Sequence, residues 1–132
     1  MGQKIVIVED DPGISDILRI ILHKNGYSVE EHIEENAITD FYRFHADLVL
    51  LDKLHTDGDG LDICKTLKQE ERMNDVPVII LSAASQLREK AIEAGADAFI
   101  EKPFTSAELL LRIRDCINES AFRQLHRNFK HF

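Results

Sequence analysis

The most constraining feature of the sequence is a short apolar run that ends on an aspartate. Residues 48–51 read Leu-Val-Leu-Leu, and Asp52 follows them directly. Four consecutive apolar residues predict a strand buried on both faces, as in a parallel sheet. The next segment, 53–60, is polar and contains Asp57-Gly58-Asp59-Gly60, a turn sequence that can lead into a helix. A charged residue at the carboxyl end of a buried strand is unusual unless it has a function. We therefore predict that Asp52 is the central functional residue of the protein.

Length and cysteine content limit the class of protein. The chain has 132 residues, which predicts one domain with a core that needs neither disulfides nor a structural metal. Cys64 and Cys116 lie in helical segments without metal-ligand spacing, and we predict two buried thiols in a reducing compartment. The chain starts without a signal peptide pattern and holds no stretch of membrane-spanning length, so we expect a cytoplasmic protein without a membrane partner.

The charge of the chain is distributed unevenly. The formal net charge is −8, and because residues 120–132 contribute +3, the first 119 residues carry −11. Direct binding to nucleic acid depends largely on cationic contacts to phosphates, so an acidic body of this size argues against it.

Apolar periodicity predicts alternating strands and helices along the whole chain. Strands are expected at residues 4–8, 27–31, 48–51, 76–81 and 97–101. Five helices are expected, and their apolar faces are Ile14, Ile17, Leu18, Ile21 and Leu22; Ile38, Phe41 and Tyr42; Leu61, Cys64 and Leu67; Leu87, Ala91 and Ala94; and Leu110, Ile113 and Ile117. Asn25-Gly26 and Gly95 are expected to end helices, Asp59 to cap the third helix, and Thr105 with Glu108 to form a capping box for the last.

This alternation predicts an α/β fold with a doubly wound, five-stranded parallel sheet covered by five helices. Ligands of such sheets bind beyond the carboxyl ends of the strands, where the strand order reverses. Glu9 and Asp10 follow the first strand, Asp52 ends the third, Ser82 ends the fourth and Lys102 follows the fifth. We therefore expect these side chains to meet in one cleft.

Taken together, these motifs resemble the receiver domain of two-component response regulators, over residues 4 to about 119. The matching residues are Glu9-Asp10, Asp52, Asp59-Gly60, Ser82-Ala83 and Lys102-Pro103-Phe104. The resemblance implies a flavodoxin-like sheet of order 2-1-3-4-5, a receiver domain at 1–119, and a basic C-terminal helical extension or linker at 120–132. In that family the aspartate matching Asp52 takes a phosphoryl group from the phosphohistidine of a histidine kinase, and the domain itself catalyses the transfer.

The site residues suit a phosphoryl-accepting carboxylate and a divalent cation. Asp52 would attack phosphorus as a nucleophile, while Glu9 and Asp10 beside it would repel the donor unless a hard cation neutralised them. Mg²⁺ is the expected cofactor, for which Mn²⁺ can substitute, with Asp10 and Asp52 as direct ligands and Glu9 acting through water. The resemblance implies that the backbone carbonyl of Leu54 completes the metal site.

Lys102 and Ser82 are predicted to bind phosphoryl oxygens. Modification of Asp52 would draw Ser82 inward, and in receivers this frees space for an aromatic residue of the fifth strand, here Phe99, to turn inward. The surface changed would be formed by the fourth helix, fifth strand and fifth helix. A serine at a strand end is common, however, and a plain core aromatic is an equally good interpretation of Phe99.

Other segments keep alternative interpretations. Asp11 is interpreted as a helix-start acid and His55 as an exposed loop residue. The polar loop Lys53–Asp57 departs from the family, which puts loop conformation and partner choice in doubt. Leu54 and Ala84 cannot position water by hydrogen bonding, which predicts slow autodephosphorylation. The tail carries Phe122, Leu125 and Phe129 at helical spacing, which fits a lengthened last helix or linker and, less well, a docking or dimerising helix.

The leading hypothesis is a signalling module, not an enzyme that acts on an external metabolite. Its expected partners are a sensor histidine kinase or phosphotransfer protein, an output domain or partner protein, and a second copy in a homodimer. A phosphohydrolase with an aspartate nucleophile is the second hypothesis, but Leu54 stands where such enzymes need a second aspartate. A degenerate receiver that binds its partners constitutively is the third.

Overall fold

The structure is a computed structural model that describes residues 2–9, 12–32, 45–52, 59–71 and 73–129. The predicted second helix, with Ile38, Phe41 and Tyr42, lies outside these residues. The elements in chain order are β1 (Lys4–Glu9), α1 (Pro12–Lys24), β2 (Ser28–His32), β3 (Leu48–Asp52), α2 (Asp59–Gln69), β4 (Val78–Ser82), a 3₁₀ turn (Ser85–Leu87), α3 (Arg88–Glu93), β5 (Ala98–Glu101) and α4 (Ser106–Phe129).

The five strands form one parallel sheet with the order β2-β1-β3-β4-β5, which confirms the predicted fold class. The strand order reverses between β1 and β3, the point where ligands bind in doubly wound sheets. In the register of these two strands Glu9 lies beside Asp52, and in that of β4 and β5 Ser82 lies beside Glu101. Three strand ends that carry predicted site residues therefore share one edge of the sheet.

Two apolar clusters cover the two faces of the sheet. Because successive side chains of a strand point to opposite faces, Val6 and Val8 join the cluster under α2 and α3, and Ile5 and Ile7 join the cluster under α1 and α4. All five residues of β3 are buried, as the sequence predicts for a central parallel strand. The sheet is thus the rigid support that fixes the direction of each strand end.

The sequence places most core positions and helix ends correctly. Gly26 and Gly95 have positive φ angles of 88° and 100°, as expected of residues that end helices. The Oγ1 of Thr105 accepts a hydrogen bond of 3.0 Å from the backbone N–H of Glu108, which confirms the predicted N-cap of the last helix. Cys64 and Cys116 are buried free thiols, and burial raises the pKa of each to about 11.

One predicted core position is wrong, and another is only partly buried. Ile17 is 59% exposed, because the buried face of α1 centres on Leu18 and Leu22. In α4 the fully buried leucine is Leu109, and Leu110 is only partly buried against the same cluster. Both segments carry more apolar residues than one helix face can bury, so spacing alone does not tell which residues point inward.

The last helix continues unbroken across residue 119, where the sequence predicts the end of the domain. Its final turns are bound to the end of the sheet opposite the predicted site. The Oγ of Ser120 donates to the carbonyl of Asp75 at 2.7 Å, and Arg127 pairs with the Asp75 carboxylate at 2.7 Å. Arg123 lies 3.6 Å from the carboxylate of Asp97. No helix within the described residues is long and apolar enough to span a membrane.

Candidate functional site

The centre of the site is an ion pair between Asp52 at the end of β3 and Lys102 just after β5. The Nζ of Lys102 donates to Oδ1 of Asp52 at 2.5 Å. The side chain of Asp52 is 1% exposed and that of Lys102 is 18% exposed. A buried carboxylate is costly unless it is paired, and here the cation comes from a residue 50 positions further along the chain. The structure thus brings these two predicted residues together.

The second carboxylate oxygen of Asp52 is buried and has no hydrogen-bond partner among the described residues. Glu9 is 4% exposed and lies beside Asp52 in the strand register. Two acids therefore lie next to each other at the edge of the sheet, and Lys102 binds Oδ1 of Asp52. A buried anionic oxygen without a donor is the chemistry that a hard divalent cation satisfies. The residues therefore fit the expected Mg²⁺.

The remaining predicted metal ligands lie in segments that the structure does not describe. Asp10 and Leu54, together with the loop Lys53–Asp57, lie outside the described residues. Within the part of the chain that is described, no group of three His, Cys, Asp or Glu side chains converges on one point. The pair of Glu9 and Asp52 alone is therefore the described half of the predicted metal site.

Ser82 lines a cavity that connects it with the ion pair. This cavity has a volume of about 320 Å³ and also contains Asp52, Lys102, Ala84 and Gln86 in its lining. The Oγ of Ser82 accepts a hydrogen bond of 3.0 Å from the N–H of Ala84, so its own O–H remains available as a donor. Gln86 is not among the predicted site residues, because its position inside the 3₁₀ turn Ser85–Leu87 has no recognisable sequence pattern. The cavity is large enough for a tetrahedral anion between Lys102 and Ser82.

Phe99 is already turned inward in this structure. Its side chain is 3% exposed and belongs to the cluster under α2 and α3. The guanidinium carbon of Arg88 lies 4.9 Å from the centre of the ring, and Nη1 of Arg88 donates to the carbonyl of Phe99 at 3.4 Å. Sequence analysis identified the aromatic residue but not the arginine that covers it.

An apolar groove adjoins the ion pair on the side of α1. It has a volume of about 560 Å³ and is open to solvent. Its lining comprises Ile14, Ile17, Leu18 and Ile21 of α1, Pro103 and Phe104 after β5, and Asp52, Ala83, Lys102 and Ser106 at its polar end. The sequence signal for this groove is the excess of isoleucines on α1, which helical spacing alone assigns to the core.

Solved structures similar to this chain include receiver domains. The magnesium-bound receiver domain of the sensor histidine kinase PA1611 from Pseudomonas aeruginosa superimposes with a TM-score of 0.79 at 29% identity, over 89% of this chain and 99% of that one. The protein NtrX from Brucella abortus superimposes with a TM-score of 0.86 at 26% identity, over 98% of this chain but 29% of that one.

Sequence comparison then gives the family. Residues 5–114 match the response regulator receiver domain, and the chain belongs to that family. The DNA-binding dual master transcriptional regulator RpaA of Synechocystis is 35% identical over 116 residues, which are 84% of this chain and 47% of that protein. The chain spans about half the length of the curated relatives that it matches. The class of protein that fold and site define is thus a signalling module of two-component systems.

Proposed function

We propose that this domain accepts a phosphoryl group on Asp52 from a phosphohistidine of a sensor histidine kinase or phosphotransfer protein, and that this modification switches partner binding. The observation that carries the proposal is the state of Asp52, which is buried and held by Lys102 through one oxygen, while its other oxygen has no hydrogen-bond partner among the described residues. A structural aspartate in such a place would have both oxygens satisfied. Asp52 ends β3 at the edge of the sheet where ligands of this fold class bind.

The transfer is a displacement at phosphorus. One carboxylate oxygen of Asp52 forms the new O–P bond, the N–P bond of the phosphohistidine breaks, and the imidazole nitrogen leaves with the electron pair and takes up a proton. Lys102, already at Asp52, binds a transferring phosphoryl oxygen, and the free O–H of Ser82 donates to another across the shared cavity. The chain's own residues thus orient the acceptor and stabilise the charge that develops.

Mg²⁺ is the cofactor that we propose, held by Asp10, Asp52 and the carbonyl of Leu54, with Glu9 acting through water. It supplies the positive charge that neutralises the phosphoryl oxygens during transfer. The fit rests on the Asp52 oxygen that has no partner among the described residues and on Glu9 beside Asp52 in the strand register, and the receiver of PA1611 holds a magnesium ion in its active-site cleft. Mn²⁺ prefers the same oxygen ligands and should substitute.

The phosphodonor is expected to dock in the apolar groove beside α1. A phosphohistidine can reach Asp52 only if its own protein covers the neighbouring surface, and the groove ends at Asp52 and Lys102. Ile17 and Ile20 are 59% and 57% exposed on the same helix, so the donor should present an apolar helix face to them. An exposed apolar patch next to a reactive group favours a protein donor over a small metabolite.

The output surface is formed by α3, β5 and α4, with Ser82 and Phe99 as switch residues. Its partner is an output domain, another protein or a second copy of this chain. The first 119 residues carry −11 charges, so we propose no direct binding to nucleic acid, and a cytoplasmic location for the module. Ala84 lines the cavity with a methyl group that cannot orient water, which favours slow loss of the phosphoryl group.

The deciding experiment is the intact mass of the protein after incubation with acetyl phosphate and Mg²⁺. Wild type should gain about 80 Da, the mass of one phosphoryl group, while Asp52→Asn and a sample with EDTA in place of Mg²⁺ should not. Continuous release of phosphate without a modified species would support a phosphohydrolase instead. No reaction in wild type would favour a degenerate receiver and contradict the proposal.

A further inference from the structure

Arg88 is the first residue of α3, and its side chain crosses to β5. The guanidinium lies over the ring of Phe99 at 4.9 Å, and Nη1 donates to the Phe99 carbonyl at 3.4 Å. The Nη2 atom is 4.0 Å from Oε1 of Glu101. One side chain therefore connects the start of a helix to two residues of the neighbouring strand.

The contact places a cation between the buried ring and solvent. Arg88 is 53% exposed, whereas Phe99 is 3% exposed and belongs to the cluster that contains Ile80 and Ala91. A planar guanidinium can lie flat on an aromatic face and still keep its polar edge in water, which an ammonium does less well. The ring is thus covered by core residues and by the guanidinium of Arg88.

Arg88 is also close in sequence to the phosphoryl-binding serine. The 3₁₀ turn Ser85–Leu87 directly precedes Arg88, and Ser82 is bound to the start of the same loop through the Ala84 N–H. Six positions separate Ser82 from Arg88. A shift of Ser82 toward Asp52 would therefore pull on the loop that positions the arginine.

We propose that Arg88 is a positioning residue that holds Phe99 in its buried position and transmits movements of Ser82 to the output surface. The inference rests on the proposed function, since only there is the position of Phe99 a signalling readout. Arg88 is not among the residues that line the cavity shared by Asp52, Ser82 and Lys102. Its effect is on the balance between the inward and outward positions of one ring.

The test compares the solvent exposure of the Phe99 ring in full-length variants by NMR. The protein carries ¹³C-labelled phenylalanine, and a soluble paramagnetic agent broadens the signals of exposed rings. Arg88→Met keeps the length of the side chain and removes its charge, and Lys90→Met removes an exposed charge from the same helix as a control. A contact of this kind at an exposed site corresponds to about a two- to fivefold change in the ratio of outward to inward ring.

We expect broadening of the Phe99 signal to rise by that factor in Arg88→Met, to stay at the wild-type level in Lys90→Met and to be intermediate in Arg88→Lys. Equal broadening in Arg88→Met and wild type would overturn the inference. If Arg88→Met loses the dispersed spectrum of a folded protein, Arg88→Lys decides by the same criterion, because it keeps the charge and most of the side chain.

Addition of beryllofluoride with Mg²⁺ separates this inference from the proposed function. If the amide signals of Asp52 and Ser82 in wild type do not respond, the proposed function fails, whereas the ring exposure still decides the role of Arg88. If wild type responds, the ring in Arg88→Met should stay exposed although Ser82 responds, because the residue that transmits the movement is absent. Protection of the ring in Arg88→Met to the wild-type level would overturn the transmission step.

Discussion

The ion pair between Lys102 and Asp52 gives the most quantitative prediction. At the observed separation of 2.5 Å, and with an effective dielectric constant of about 20, the direct attraction is about 7 kcal/mol. Removing the two groups from water costs several kcal/mol each, so the net contribution of the pair to the free energy of unfolding is close to zero. Lys102→Met removes only one partner and leaves the carboxylate of Asp52 buried without a cation, which costs about 3–5 kcal/mol.

The lower end of that range applies here, because Lys102 is 18% exposed and part of its attraction is screened by solvent. We expect Lys102→Met to lower the free energy of unfolding by about 3 kcal/mol, which corresponds to a fall in Tm of roughly 10 °C. The measurement is urea unfolding followed by circular dichroism at pH 7. EDTA is present throughout, since a cation at Asp52 would replace the missing charge.

A double-mutant cycle tests the cause of the loss. In an Asp52→Asn background the buried charge is absent, so Lys102→Met should cost less than about 1 kcal/mol, a coupling of about 2 kcal/mol. Lys65→Met removes an exposed lysine from α2 and should stay within about 0.5 kcal/mol of wild type. An equal loss from Lys102→Met in both backgrounds would show that Lys102 does not act through Asp52, and would refute the reasoning.

Three further predictions concern the rest of the fold. Gly95→Ala should lower the free energy of unfolding by about 2 kcal/mol more than Gly26→Ala, as measured by thermal unfolding. Both glycines have positive φ angles, but only the Cβ at position 95 would lie 2.8 Å from a lysine side chain. Equal losses in the two variants would exclude the steric explanation. Burial raises the pKa of the Cys64 thiol from 9.0 to about 11. The contribution of the neutral thiol to the free energy of unfolding is therefore complete below pH 9 and is lost as the pH rises to 11. The stability of wild type should therefore fall more steeply over that interval than that of Cys64→Ala, and parallel curves would contradict this. Arg127→Gln breaks the 2.7 Å pair with Asp75 and should speed hydrogen exchange in the last turns of α4, whereas unchanged exchange would show that the pair does not anchor them.

Local pattern was sufficient for most of the architecture. The β-branched and apolar runs around Ile5, Leu48 and Ile79 predict buried strands, and Gly26 and Gly95 mark helix ends, because each signal depends only on residues near in sequence. The meeting of Asp52 and Lys102 at the candidate site could be predicted from the same strand pattern. Parallel strands end at a common edge, so placing Asp52 and Lys102 after two strands was enough to predict that they meet.

Local sequence pattern could not predict whether an individual side chain points to the core or to solvent. α1 carries more isoleucines than its buried face holds, and only the packed sheet shows that Ile17 faces solvent and lines the groove beside Asp52. The ring of Phe99 lies under the guanidinium of Arg88, which belongs to another element. Periodicity describes the face of one helix or strand but not the neighbour that this face will meet.

The sequence by itself determined the order of strands and helices, the polar residues at the strand ends and the family to which they belong. Only the tertiary structure decided how the groups are paired. Lys102 binds one oxygen of Asp52, whose other oxygen has no partner in the described part of the chain, and the basic end of α4 is bound to Asp75 and Asp97. These contacts join residues distant in the chain. Their energies depend on burial and separation, which exist only once the sheet has brought the elements together.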